Sequence, residues 1–411
     1  MGKIADVMVI GGGVIGCASA YFLSKAGLNV ALIEKGGIGS GTSSHCEGNV
    51  LVHDKMPGYD SRMARLSQQL FPEVMADLNG DIGWRQPGSL LVAESDEELE
   101  VAADFALRMG KAGIPVDVLD AAALRKLEPQ LAPDLAGGLF FPTDASLNPL
   151  LLCSALSDAI RRAGAAVLSH TEVLGIDRDK RGAVCGILTK EGRMAAGCVV
   201  NAAGVWAPAI GRMVGLDIPI KPRQGQILVS ERTMLPAARS IVEFGYLMAK
   251  FGNRTYRRRI PPEMERYNIA FVYEPTEAGN FLIGSSRRFT GMDIRCHPAV
   301  LRCLAARALR FLPGIRRTSI IRSYAGLRPY TPDHFPIVSE TRVPGFYVAA
   351  GHEGDGIGLS MITGKWIMQR ICGLPSEMDM EPLRLDRFDR KQIQQEDAEP
   401  SFGKTIQEEA T

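Results

Sequence analysis

Gly11, Gly13 and Gly16, followed by a carboxylate at Glu34, are the residues of this chain whose spacing says most about chemistry. They lie in ADVMVIGGGVIGCASAYFLSKAGLNVALIE (residues 5–34), whose apolar runs and small residues predict a strand, a tight turn, a helix and a second strand. Gly11 permits the turn, Gly13 lets backbone approach a pyrophosphate, and Gly16 lets the helix lie close to the strand. The helix start, with Val14 and Ile15, offers unpaired N–H groups and the positive end of its dipole, so a diphosphate needs no basic side chain there. Glu34 stands 18 residues past Gly16, at the end of VALIE. A carboxylate there accepts hydrogen bonds from both hydroxyls of an adenosine ribose and repels a ribose 2'-phosphate. A lone GxGxxG is weak evidence, but strand, helix and distal acid in register make a dinucleotide site the reading.

The elements that must position such a site fill a chain of 411 residues, which suggests two to three units. Hydrophobic residues make up 46% and charged residues 23%, the values of a soluble globular protein. A net charge of +1 leaves no global field to attract nucleic acid or an anionic membrane. No apolar run approaches the roughly 18 residues of a membrane span, and the N-terminal apolar stretch is broken by Gly11 to Gly13, so a cytoplasmic location is expected. The eight cysteines include no CxxC pair, which removes the spacing of zinc and iron–sulfur ligands and predicts no metal site; buried reduced thiols are the expectation.

After Glu34, KGGIGSGTSSHCEGN (35–49) is rich in Gly, Ser and Thr and has no helical period, so it reads as a loop crossing the carboxyl edge of the sheet, where ligands bind in open α/β folds. A helix is expected around 60–78, a strand at GSLLVAES and a helix from Asp96 to Ala112. From Asn148 the nucleotide-type pattern returns, with the amphipathic helix PLLLCSALSDAIRR, then a meander through VLGIDRD, AVCGILTKEG and GRMAAGCVV. CVVNAAGVW ends a strand on small residues, as backbone passing close to a cofactor requires. QGQILVS and NIAFVYEP read as strands of a different unit, and PGFYVAAGHEGDGIGLSMITGKW as strand, glycine-rich loop and helix. A discontinuous nucleotide domain (1–50, 146–218, 319–380) thus interleaves with a second domain (51–145, 219–318), and 381–411 form a polar tail, solvated in its last twenty or so residues or docking a partner. The basic run RTYRRR (254–259) reads as a solvated loop, or as a site for a second carboxylate or an acidic partner.

GGGVIGC with Glu34, TSSHCEGN, VVNAAGVWAP, GLRPYTPDHFPIV and GHEGDGIGLSMITGKW, in this order, resemble the FAD-dependent D-amino-acid oxidase superfamily. Within it they are most similar to glycine and sarcosine oxidases and to flavin subunits of heteromeric amino-acid dehydrogenases. The resemblance runs from residue 5 to about 375. It implies an α/β (α+β overall) architecture, a Rossmann-type FAD domain with an interleaved antiparallel-sheet substrate domain. It also implies removal of a hydride from a carbon beside an amine, to the flavin, leaving an imine that water hydrolyses.

The same resemblance assigns residues. Thr42, Ser43 and Ser44 would contact the FAD diphosphate, and His45, Cys46, Glu47 and Gly48 would run beside the flavin ring. Gly351, His352, Glu353, Gly354, Gly356 and Ile357 would present backbone donors where reduced flavin carries charge. Lys35, Val173, Ala203, Gly204, Trp206 and Gly326 would complete the cofactor site. Arg328 would grip the substrate carboxylate, which its paired donors match, against the alternative of a surface ion pair. Sarcosine oxidases tether the flavin through a cysteine at the place of Gly326, so non-covalent FAD is expected here. A carboxylate-binding tyrosine of glycine oxidase has no secure match; Val272 stands near the place, and Tyr246 and Tyr273 are loose substitutes.

His352 is open between an acid–base role and one of orienting backbone. His45 and Glu47 are candidates for contact with the substrate amine, Glu47 otherwise serving as a structural acceptor. The expected activity is oxidation of the CH–NH bond of an amino acid, a secondary one such as an opine, proline or hydroxyproline. The chain would then be the catalytic subunit beside partners carrying an iron–sulfur centre or FMN. A self-sufficient glycine or sarcosine-type oxidase using oxygen is the alternative. A disulfide-reductase type lacks its cysteine pair and second GxGxxG, and a subunit keeping FAD for structure alone fits the full motif set poorly.

Overall fold

The computed structural model describes residues 5–234, 236–247 and 258–389. Their strands form two eight-stranded sheets and one small pair. The first sheet has at its centre Ala5–Ile10, flanked in parallel by Gly192–Asn201 and Val30–Ile33, with Ala166–Leu168 and Phe346–Ala350 parallel beyond them. Ile337–Glu340 closes one edge antiparallel. Parallel strands covered by helices on both faces read as apolar runs, which is why VMVI and VALI carry no alternation and are almost wholly buried. The helices Val14–Lys25 and Gly356–Ile371 pack on each other on one face of this sheet.

The second sheet runs in the order Ile320–Tyr330, Lys221–Ser230, Phe281–Gly284, Val272–Pro275, Ser240–Glu243, Ser89–Ala93, Gly137–Phe141 and Asp117–Asp120. It is antiparallel except where Ser240–Glu243 meets Ser89–Ala93. The helix Pro298–Phe311 covers it, with the rings of Phe271 and Phe311 stacked 4.7 Å apart. None of the described helices is long and apolar enough to cross a membrane.

Three features differ from the sequence reading. Ile320–Tyr330 follows the boundary at 319 but pairs along its length with Lys221–Ser230, so this strand joins the second sheet. Tyr59–Asp77 packs on Gly356–Ile371, where the Ile362 N–H donates to Ser67 Oγ, so this helix leans on the nucleotide unit although the sequence pattern places 51–145 in the other. Residues 381–389 are docked: Leu383 is buried, Leu385 and Phe388 pack on the apolar face of the first sheet that carries Met8 and Ile33, and Arg387 pairs with Asp333 at 2.9 Å. The rest of the expected tail, from 390, lies outside the described residues.

Within RTYRRR, residues 254–257 also lie outside them. Arg258 does not lie in a solvated loop: it pairs at 2.5 Å with Glu243, a buried carboxylate that also accepts from Arg307 Nε (2.9 Å) and the Phe271 N–H (2.7 Å). A buried charge persists only when paired and hydrogen-bonded, and Glu243 meets both conditions.

Candidate active site

Between the sheets lies a cavity of about 610 Å³, within the usual range of ligand sites. The glycine turn forms one end. Gly11 has φ +112°, and a Cβ there would fall 2.5 Å from the Ala202 carbonyl oxygen; one on Gly16 would fall 1.8 Å from Gly11 O. The turn is therefore pressed between two strand ends and its own helix. Ser43 Oγ accepts the Val14 N–H at 3.0 Å, tying the loop to the helix start. Glu34 accepts from Gly12 N–H (2.6 Å) and Gly36 N–H (2.7 Å), which fixes the carboxylate at the cavity wall while each oxygen keeps a further lone pair. Lys35 Nζ stands 3.8 Å from the centre of the Trp206 ring.

Of the residues assigned from sequence, Gly11, Gly13, Val14, Ile15, Glu34, Lys35, Thr42, Ser43, His45 and Glu47 line this cavity. So do Val173, Ala203, Gly204, Trp206, Gly326, Arg328, Gly351, His352, Glu353, Gly354, Gly356 and Ile357. Gly16, Ser44 and Gly48 do not. Gly16 packs the helix, Ser44 Oγ donates to Gly41 O (3.0 Å), and the Gly48 N–H donates to both oxygens of Glu274. Sequence reasoning missed Thr171, Glu172, Ile210, Met213 and Gly225 on the wall. No local pattern marks them, because each reaches the cavity through tertiary packing.

The loop 42–48 joins the sheets. Thr42 Oγ1 donates to Leu327 O at 2.8 Å, and the His45 Nδ1 lies 2.9 Å from Gly41 O. A Cβ at Gly326 would sit 2.3 Å from His45 O, so the position where a tethering cysteine would stand admits no side chain unless the loop moves. Cys46 does line the cavity, but burial, then Glu47, pushes its thiol well up and keeps it protonated.

His352 is buried, with Nε2 2.9 Å from Thr363 Oγ1, and burial pushes its pKa down to about 3. It is a neutral ring at physiological pH, which favours the orienting role over the acid–base one. Tyr273 drops out: its ring is in the core, and its hydroxyl donates to Ala237 O at 2.9 Å. Tyr246 does not line the large cavity. It lines an adjoining one of about 50 Å³, together with Val272, Ser285, His53, Lys55 and Asp355. Glu47, Arg328 and Gly354 line both. Arg328 Nη1 donates to Ser286 O at 2.9 Å, and the guanidinium lies so close to Gly225 that a Cβ there would be 2.1 Å from Nη1.

Beside Glu47, the buried Glu274 is raised from 4.5 to about 8, by burial first and then by Glu47. In the fold it holds its proton to about pH 8, whereas an unfolded chain loses it near 4.5. Its contribution to stability is therefore complete below 4.5, falls as pH rises through that window, and is gone above about 8. The slope reaches at most about 1.4 kcal/mol per pH unit. Glu274→Gln is expected to flatten the fall of Tm between pH 5 and 8; calorimetry showing the same fall in the variant would refute the assignment.

The sequence profile of the family described as "DAO: FAD dependent oxidoreductase" matches residues 6–370. The chain belongs to this family. It is 30% identical over 393 residues to glycine oxidase of Geobacillus kaustophilus (strain HTA426), covering 93% of this chain and 97% of that protein. An opine oxidase subunit of Rhizobium meliloti is 28% identical, with 95% of this chain and 99% of that protein covered. The crystal structure of the G. kaustophilus glycine oxidase superposes with a TM-score of 0.82 at 28% identity, over 94% of this chain and 99% of that one. The protein is thus an FAD-dependent oxidoreductase of the DAO family, and its two sheets are the FAD-binding and substrate-domain sheets of that fold. The residues present fit the cofactor: a turn whose Gly11 and Gly16 admit no Cβ, a helix start and a fixed acid at the cavity wall.

Proposed function

We propose that this DAO-family protein oxidises the CH–N bond of an amino acid whose carboxylate is held by Arg328, with FAD bound non-covalently in the large cavity. The placement of Arg328 carries the reading: its guanidinium lines both cavities, and among the described residues its hydrogen bond is to a backbone carbonyl, not to an acid. Such a fork suits a carboxylate ligand. Bound there, FAD supplies a two-electron acceptor for the hydrogen on the carbon beside the amine. Glu47, on the wall of both cavities, would accept a hydrogen bond from the amine, and His352 would steady the cofactor loop through Thr363 without titrating near neutrality.

The relatives favour a self-contained oxidase over the heteromeric dehydrogenase expected from sequence, because glycine oxidases stand among the best matches over nearly their full length. The match to an opine oxidase subunit keeps a second reading, in which the amine is secondary and electrons leave through a partner subunit bearing an iron–sulfur centre or FMN. Comparing turnover with oxygen and with an artificial dye separates the two. Oxygen-dependent turnover supports the oxidase, and dye-only turnover the dehydrogenase. Acid precipitation is expected to leave a white pellet and a yellow supernatant, since Gly326 cannot tether FAD and the Cys46 thiol is held protonated. A yellow pellet would overturn non-covalent binding.

A further inference from the structure

Arg223, Arg287 and Arg328 stand on neighbouring strand segments, Arg328 on the wall of both cavities, and among the described residues only Arg223 has a carboxylate partner. Arg223 and Arg328 stand opposite each other on antiparallel strands, and Arg287 follows Ser286, whose carbonyl accepts from Arg328. Glu353 pairs with Arg223 at 2.5 Å. Arg287 is 4% exposed, and among the described residues neither Nη1 nor Nη2 has a hydrogen-bond partner. Its guanidinium lies on the ring of Tyr246 at 4.2 Å. Ser285 Oγ is also buried and unpartnered among the described residues.

A buried guanidinium without an anion is costly, and like charges at Arg223 and Arg328 add to the cost. The same crowding, after burial, lowers the Arg223 pKa to about 10. A fold keeps such a group where a ligand completes it. Arg287 itself lines neither cavity, but the Tyr246 ring it lies on lines the small one and not the large one where the helix start lies, so the cofactor diphosphate is not that ligand.

The backbone here is extended. Ser285 exchanges hydrogen bonds with Ala270, the Arg287 N–H donates to Tyr267 O, and Arg288 exchanges both with Gln224. Alternate residues of an extended run share a face, so Arg287 lies on the same side as Ser285, which lines the small cavity with Tyr246 and Arg328. At about 50 Å³ that cavity takes a group of carboxylate size, not a second molecule. The same cavity also carries Glu47, and Lys55 bridged at 3.0 Å to Asp355, so acidic and basic groups face one ligand.

We propose that Arg287 and Ser285 hold a second carboxylate of the substrate. The preferred substrate is then an amino acid with two carboxylates, the second on the nitrogen substituent or on the side chain. This rests on Arg328 holding the first.

The test uses the holoenzyme and two non-oxidisable ligands, thiodiacetate with two carboxylates and (methylthio)acetate with one. Calorimetric titration is expected to show thiodiacetate binding roughly tenfold to hundredfold tighter, the range of a charged hydrogen-bonded pair. In Arg287→Met that ratio should collapse toward one, and in Ser285→Ala fall in part. Equal binding of the two ligands by the unmodified protein, with succinate binding no tighter than propionate, overturns the proposal, and that result does not depend on whether the variants fold. So does a ratio that survives Arg287→Met. Anaerobic flavin reduction then places the second carboxylate: faster with iminodiacetate than sarcosine, it lies on the nitrogen substituent; faster with aspartate than glycine, on the side chain. If both acids fail to bind and no amino acid reduces the flavin, the Arg328 reading falls as well.

Discussion

Arg328→Ala is expected to lower kcat/KM for an amino acid by about two to four orders of magnitude while the protein still purifies with its flavin. The size follows from two charge-assisted hydrogen bonds, each worth about 1.5–3 kcal/mol, lost from a partly buried pair. The loss should fall mainly on KM, because the guanidinium holds the substrate in ground and transition states alike. Flavin should stay bound because the glycine turn and Glu34 follow strands of the other sheet from Arg328, and Ser43 is tied to the helix start there. Steady-state kinetics with the bound flavin quantified spectrally provide the measurement. An unchanged KM would remove Arg328 from the substrate, and a colourless variant would move its role to the cofactor.

The second large effect belongs to the turn. Gly11→Ala should purify without flavin, because the new methyl would lie 2.5 Å from Ala202 O in a backbone at φ +112°. Either the strand end moves or the turn opens, and both displace the helix start that would hold the diphosphate. Backbone strain alone costs about 1–3 kcal/mol, and the clash adds to it, so affinity should drop by at least about a hundredfold. Gly27→Ala is the control: its φ is +83°, but nothing lies within 4 Å of the added Cβ. That variant should lose only about 1 kcal/mol of stability and stay yellow. Flavin content against circular dichroism separates loss of the site from loss of the fold. Full flavin occupancy in Gly11→Ala would contradict the account of the turn.

Local signals carried the nucleotide half of this fold. Gly11 to Glu34 is one contiguous unit whose period changes from strand to helix and back, and the loop 42–48 follows it directly. The strand holding Arg328 was harder to place, since its partner Lys221–Ser230 lies about a hundred residues earlier and pairing of that range leaves no mark in either segment. Buried charges were hardest. Arg258 looked solvated beside its basic neighbours, yet it reaches Glu243, fifteen residues back in sequence. Glu274 sits in a segment that reads as an ordinary strand and Arg287 in one that carries no motif, and only the packing around them shows a raised carboxyl and an unanswered guanidinium. Tyr246 and Tyr273 could not be told apart by type. The second sheet sends one to the small cavity and the other to the core.

The central claim is that a carboxylate-bearing amine, seated on Arg328, gives up hydrogen to a flavin held behind the loop 42–48. Mixing the purified protein with amino acids in the absence of oxygen tests it most directly. The account predicts that at least one of them bleaches the visible absorbance of the bound flavin, and that Arg328→Ala needs far more of it to do the same. A flavin that dithionite reduces but no amino acid does would contradict it.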